Sequence, residues 1–532
     1  MKKLFYISLF MAMVALVSSG CKKTFSELYQ NANKPTKVPP SLLLNGALND
    51  MYDAPYTMKE RWSQYYCINY DYYGNNRYDF GSEDDYYNSL KNVLKMEEEA
   101  KAYGGNDLNP YSALGKFFRA YFFTRMSLQV GDLPLTSALQ GLDSLRPAYN
   151  TQKEVFKQAF AWLEDANKDL QQLISSPDIN NLSDGQLLKG DIYFNNNLIK
   201  WQKTVNTFRL RLLIHLSKKA TDADLNVKQQ FADIVGNSTK YPIMVDMSDN
   251  LQYVYVHPTN DYPMNPGNFG FDALRYNTSA TYIGLLTQLS DPRVFVTAEP
   301  ASKLVADGTS PTSFAAFVGA SPGEDLGDMY IEANAGQYSL INRKHYYDTY
   351  TGEPSIQIGY PEMLFNIAEA INRGWITSGP LGDAAAYYTA GIQASMGYYG
   401  IPDSGPMAVY FLHPGASLGT YDQFTVNIDY AAYYSNPAVK YTANDAANLN
   451  KILTQKYLAL FRHSGLESYY TYRRTGIPTF TTGPGTGNSA RIPMRFQYPG
   501  SENVANATNY QAALESQYSG NDDINGVMWI LK

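Results

Sequence analysis

Apolar residues recur at helical spacing in three stretches of the first half of the chain. In "NPYSALGKFFRAYFFTRMSLQVGDLP", Leu114, Phe117, Phe118, Tyr121 and Phe122 fall at i, i+3, i+4, i+7 and i+8, which is one face of a helix. Gly131 stands ready as its C-terminal cap, and Pro134 prevents continuation. "NTQKEVFKQAFAWLEDANKDL" opens with Thr151 and Glu154 in capping-box spacing and places Phe156, Ala159, Phe160, Leu163 and Leu170 on one side. "NLIKWQKTVNTFRLRLLIHLSKK" does the same with Trp201, Val205, Phe208, Leu212 and Leu216.

The pattern returns late in the chain. "YPEMLFNIAEAINRGW" with "GDAAAYYTAGIQASMGYYG", and "NDAANLNKILTQKYLALFRHSG" with "LESYYTYRRTG", read as two further helix pairs. Neighbouring helices of this length resemble tetratricopeptide hairpins stacked into a scaffold, although no clean 34-residue consensus repeats. Between them, about 65–88, 241–359, 402–441 and 478–506, lie stretches rich in Gly, Pro, Asn, Ser and Tyr. Structureless loops this long are uncommon unless they build a working surface. The expected fold is therefore mostly α: a helix-pair scaffold with an irregular, loop-rich ligand-binding face and short strands.

The N-terminus sets the location. Lys2 and Lys3 precede an apolar run from Leu4 to Val17, then small residues and Cys21. That run is too short to span a bilayer and fits the apolar region of an export signal. A small residue directly before Cys reads as a bacterial lipoprotein signal, so residues 1–20 are expected to be removed and Cys21 lipidated. Residues 21–40, with three prolines, suit an extended leader, and 41–532 form the body. Only Cys67 then remains, so no intramolecular disulfide forms, and it reads as a small core residue rather than a nucleophile.

Charge narrows the partners. The formal net charge of −7 becomes −9 once Lys2 and Lys3 are removed, and a mildly acidic surface argues against nucleic acid. Tyr, at 46 copies, outnumbers Gly, at 39.

Catalytic patterns are few. "GASPG" (319–323) fits G-x-S-x-G, but Pro322 lacks the backbone N–H that an oxyanion hole needs. "GASLG" (415–419) keeps that N–H around Ser417, yet the following "TYDQFTVNI" looks extended where a nucleophile elbow needs a helix. Runs such as Glu83–Asp84–Asp85 and Glu97–Glu98–Glu99 read as solvated faces rather than a glycosidase pair. His215, His257, His345, His413 and His463 are scattered, and "NDDING" (521–526) only imitates the start of a calcium loop. No catalytic residue, metal site or cofactor is expected. Arg473 and Arg474, at a helix end, read as groups that satisfy carbonyls or bridge helices.

Several phrases, in order, carry a family resemblance: "SLQVGDLPLTSAL", "KWQKTVNTFRLRLL", "SDPRV", "FNIAEAINRGW", "LTQKYLALF", "YYTYRRTGIP", "RIPMRFQYPGSE" and the closing "DDINGVMWILK". With the Cys21 signal they resemble the SusD/RagB group of outer-membrane lipoproteins of Bacteroidetes. The resemblance implies four tetratricopeptide-like helix pairs with an irregular ligand face. It implies a partner, a SusC-like TonB-dependent barrel, and a role in capturing oligosaccharide, or in some relatives peptide, for import. It also implies anchoring at the outer membrane, facing the exterior.

The candidate ligand residues come from "NYDYYGNNRYD". Sugars present flat C–H patches rimmed by hydroxyls, so a ring covers the patch while amide, carboxylate or guanidinium groups meet the rim. Tyr supplies both a face and a polar tip with few rotamers to freeze. Tyr70, Asp71, Tyr72, Tyr73, Asn75, Asn76, Arg77 and Tyr78 offer this mixture, with Gly74 in a turn. "HPTNDYPMNPGNFGFDALRYN" (257–277) is a second candidate contributor. The bland counterpart is that these tyrosines pack over helices or line the seam with the barrel.

Overall fold

Each stripe read from the sequence becomes a buried helix face. In the computed structural model, which describes residues 37–175 and 182–532, the scaffold helices are α1 (Pro40–Asp50), α2 (Tyr87–Ala102), α3 (Pro110–Val130), α4 (Gln152–Ser175) and α5 (Leu198–His215). After a long interval come α6 (Leu326–Asn334), α7 (Tyr360–Asn372), α8 (Ala384–Tyr398), α9 (Ala446–Ala459) and α10 (Glu467–Thr475). The signal segment and Cys21 lie outside the described residues. Among the described residues, no helix is long and apolar enough to cross a membrane.

The helix ends follow the local chemistry. Asn109 caps α3, its Oδ1 accepting from Ser112 N at 2.8 Å, and Gly131 ends it at φ +97°. The Thr151–Glu154 box forms at α4: Thr151 N donates to Glu154 Oε2 at 2.7 Å, and Glu154 N to Thr151 Oγ1 at 3.3 Å. Helix α1 packs on α2, α3 on α4, α4 on α5, α7 on α8 and α9, and α10 on α5. Gly391 on α8 lets Phe365 of α7 approach, since a Cβ there would meet the ring at 2.7 Å. Helices α1 and α2 were not singled out above, although Leu90, Val93, Met96 and Ala100 give α2 a buried stripe.

Buried cations tie the scaffold together. Arg211 of α5 donates to Glu362 of α7 at 2.7 Å. Arg293 pairs with Asp291 at 2.6 Å and reaches Gln455 of α9 at 2.6 Å and Ser395 of α8 at 2.9 Å. Arg474 of α10 grips Glu369 of α7 and donates to Ser217 at 2.9 Å, while Arg473 donates to Met494 O at 2.9 Å. Both arginines therefore bridge elements, as their place at a helix end suggested.

The intervals are more ordered than expected. Residues 402–441 hold a regular antiparallel hairpin, β7 (Ser404–Leu412) with β8 (Tyr421–Asp429), in unbroken register from Ser404↔Asp429 to Leu412↔Tyr421. Ser417 sits in its exposed tip, with a strand following it. The remaining strands are short pairs: β1 (Tyr66–Ile68) with β5 (Tyr276–Thr278), β2 (Leu133–Pro134) with β3 (Tyr149–Asn150), and β4 (Leu251–Tyr253) with β6 (Ser355–Ile358).

The acidic runs are used within the fold. Asp84 accepts from Lys59 at 2.8 Å, Glu97 from Arg119 at 2.6 Å and Glu99 from Lys95 at 2.9 Å. Glu83 differs: its Oε2 is buried without a partner among the described residues, and burial pushes the carboxyl up to about 8. The folded chain thus holds a proton there that the unfolded chain releases from about pH 4.5, so this group's penalty grows as pH rises towards 8. Glu83→Gln is expected to raise the melting temperature at pH 8 by about 2–4 °C, and by progressively less towards pH 5. A gain of the same size at both pH values contradicts this.

Candidate functional site

The short β1–β5 pair joins the two stretches that the sequence nominated separately. Its register, Tyr66↔Thr278 to Ile68↔Tyr276, sets the chain leaving β1 beside the chain entering β5. Asn69 continues the seam: its N donates to Arg275 O at 3.2 Å and its Nδ2 to Leu274 O at 2.9 Å. Beyond it, Asp71–Tyr73 form one 3-10 turn ending at Gly74, whose φ of +124° only glycine adopts easily. A side chain at Gly74 would also press on Arg61, whose Nη1 holds Asn75 O at 2.7 Å.

The outcome is an exposed aromatic face built around one guanidinium. Arg275 Cζ lies 4.8 Å from the centroid of the Tyr70 ring, 5.6 Å from Tyr330 and 6.0 Å from Phe271. Tyr70 and Tyr330 approach at 5.3 Å with their planes 30° apart. Tyr73 flanks Tyr70 at 6.3 Å, and Tyr72 meets Tyr73 edge-on at 5.3 Å. Tyr72 is 81% exposed and Phe271 69%, which is unusual for rings of this size and marks a surface meant to be covered. The cation steadies its neighbours, each such contact contributing about 0.5–1 kcal/mol when exposed. Burial, and then the neighbouring Asp272 carboxylate, hold the Tyr73 hydroxyl above its usual range.

Tyr330 arrives on α6, and Cys67 is part of the reason. The Cys67 side chain of β1 is fully buried and packs with Ala320 and Met329, the residue before Tyr330. Burial pushes its thiol well up, so it behaves as the core residue expected from sequence. Asn76 Nδ2 also contacts Met329 Sδ at 3.7 Å. The same small core that seats β1 thus seats the helix bearing the second ring.

The structure divides the eight nominated residues. Tyr70, Asp71, Tyr72 and Tyr73 form or border the aromatic face. Asn75 and Arg77 lie past Gly74 in local bonds: Asn75 Oδ1 accepts from Arg77 N at 2.9 Å, and Arg77 Nε donates to Asp79 at 2.7 Å. Asn76 and Tyr78 need correcting, because both are buried and spent on the fold. The Asn76 amide bonds both Ile68 N, at 2.9 Å, and Ile68 O, at 2.8 Å, pinning the loop to β1. Tyr78 OH donates to Trp62 O at 2.9 Å and accepts from Gln64 at 3.2 Å. The bland reading holds for those two, and equally for Tyr65 and Tyr66 in the core.

From the second stretch, Phe271 and Arg275 join the face, whereas His257 stacks on Tyr350 at 4.4 Å in a separate turn. Tyr330 was missed. Nothing in "LGDMYIEAN" separates it from any other helical tyrosine. Ser417 lies in the exposed hairpin tip and is followed by strand β8, where a nucleophile elbow needs a helix. Asp522 of "NDDING" is taken by Arg495, and Asp523 accepts from Asn525 N at 2.9 Å.

A superhelix of helix pairs carrying a loop-built aromatic face defines a class of scaffold. The chain belongs to the SusD-like family within it: the sequence profile described as "starch-binding associating with outer membrane" matches residues 32–499. Among solved structures, one SusD homologue from Bacteroides fragilis is 33% identical, with a TM-score of 0.77 over 93% of this chain and 100% of that one. A second from the same organism is 28% identical, with a TM-score of 0.74 over 93% and 100%. A chitin-binding SusD homologue from Flavobacterium johnsoniae shares the fold, at 19% identity and a TM-score of 0.66 over 93% and 98%. A search of curated protein sequences finds no match.

Proposed function

We propose that this chain is a non-catalytic binding protein that captures neutral oligosaccharide on the Tyr70–Tyr72–Phe271–Tyr330 face. It holds its cargo at the outer membrane, on the exterior side, through a lipid on Cys21. It then passes the cargo to a SusC-like TonB-dependent transporter. The observation that carries this reading is the exposed ring cluster around Arg275. Ring faces cover sugar C–H patches, and the guanidinium, the Asp272 carboxylate and the tyrosyl hydroxyls meet the hydroxyl rim. The family's starch-binding description agrees with this chemistry. Its geometry also differs from that of a hydrolase, which needs paired groups aimed at one bond.

The test is a glycan array and a peptide pool probed in parallel with the mature chain, alone and after co-expression with a SusC-like barrel. Saturable binding of neutral oligosaccharides without turnover is expected. Binding of peptides alone transfers the face to another cargo, and no binding by either preparation refutes capture.

A further inference from the structure

Beside the aromatic face lies a cleft of about 660 Å3, within the range of small-molecule sites. The two surfaces share elements. Leu274, adjacent in sequence to Arg275, lines the cleft and is half exposed. Ala333 and Asn334, which also line it, lie about one turn beyond Tyr330 on α6. The ring face and the cleft are therefore neighbours on the same two segments of chain.

The lining is not that of a sugar site. Phe411 of β7, Phe424 of β8, Leu340, Val305, Pro300 and Pro311 supply apolar surface. The charged groups and the tyrosyl hydroxyl are already engaged. Glu299 accepts from Arg343 N at 2.9 Å and Nε at 3.0 Å. Lys303 pairs with Asp307, His413 with Asp422 at 3.0 Å, and Tyr338 OH with Glu324 at 2.8 Å. A bare sugar entering here would give up water and find few partners. The wall charges balance, Lys303 and Arg343 against Glu299 and Asp422, so no field favours a uronate. The donors left free on the wall are few: the side chains of Ser302 and Asn334 and Arg343 Nη1 bond nothing among the described residues, and of these Arg343 Nη1 alone is charged. An apolar group carrying a carbonyl matches this set.

We propose that the cleft is a second binding site, taking a hydrophobic acyl ester group borne by the glycan on the aromatic face; the proposal rests on the oligosaccharide reading above. The apolar part of the ester lies on Phe411 and Phe424, and its carbonyl oxygen accepts from Arg343 Nη1. Esterified glycans are thereby held more tightly than the same chains without esters.

The test uses the mature chain and saturation-transfer NMR with ethyl benzoate, ethylbenzene and glucuronate. Ethyl benzoate is expected to bind, about fivefold more tightly than ethylbenzene. Ala306→Trp, at an exposed position on the cleft wall, should weaken it at least tenfold with an unchanged circular dichroism spectrum. Tyr70→Ala with Tyr330→Ala should leave it unchanged, so failure of the ring face and failure of the cleft give different results. In a second arm, partially benzoylated maltoheptaose should bind at least tenfold more tightly than plain maltoheptaose, with the advantage lost in Ala306→Trp. Absence of ethyl benzoate binding, binding indifferent to Ala306→Trp, preference for glucuronate, or equal affinity for the two maltoheptaoses overturns the proposal.

Discussion

Replacing Tyr70 with Ala is expected to lower oligosaccharide affinity about tenfold, replacing Tyr330 likewise, and replacing both by about 100-fold, which is some 1.4 kcal/mol per ring. The two rings sit 5.3 Å apart and each lies within 5.6 Å of the Arg275 guanidinium, so each substitution removes part of the platform and uncovers the guanidinium to water. Both are partly exposed, and substitutions at such positions usually change stability by no more than about 0.5 kcal/mol. Affinity should therefore fall while the melting temperature holds. Asn76→Ala and Tyr78→Phe should behave in the opposite way, because their polar atoms bond Ile68, Trp62 and Gln64. Titration calorimetry with an oligosaccharide selected on the array, run beside thermal melts, separates the two classes. Wild-type affinity in the double ring variant would remove the platform from the account.

The other large effect lies in the scaffold. Arg474→Ala is expected to cost about 3–5 kcal/mol, on the order of 10 °C in melting temperature. Burial would push the Glu369 carboxyl up, but Arg474, and then Arg373, outweigh it and hold it at about 2. Removing Arg474 leaves that carboxylate fully buried with the partly exposed Arg373 as its remaining ion-pair partner and Lys456 acting from further off. Replacing the pair together, Arg474→Met with Glu369→Leu, should recover most of the loss, since a buried pair is often matched by apolar residues of similar volume. The sign with pH follows from the lowered carboxyl. The pair's stabilisation is complete above about 4.5 and is lost as pH falls towards 2, a dependence the double variant should lack. Thermal melts from pH 7 to pH 3 read both effects, and a single variant as stable as wild type contradicts the bridging role.

The scaffold could be read from sequence because helix stripes and caps are local signals. Asn109, Gly131 and the Thr151–Glu154 box terminate α3 and α4 where their chemistry requires. The β7–β8 hairpin was also present as alternation, Val409 and Phe411 facing inward opposite Phe424 and Asp422, but its length was hidden by the glycines and prolines around it. The site was legible only in outline. Tyr is apolar on its face and polar at its tip, so Tyr65 and Tyr72 look alike in a sequence although one is fully buried and the other 81% exposed. What separates them is the β1–β5 pairing, a contact across some 200 residues that no local pattern encodes. Tyr330 was lost for the same reason: α6 is positioned through Met329 against Cys67, on a strand far away in sequence.

Hydrogen–deuterium exchange on the mature chain, with and without a bound neutral oligosaccharide, tests the central claim most directly. Slowed exchange confined to residues 69–74, 268–276 and 326–332 is the predicted result, because these backbones carry the rings and Arg275. Protection elsewhere, with those three segments unchanged while ligand is bound, would contradict it.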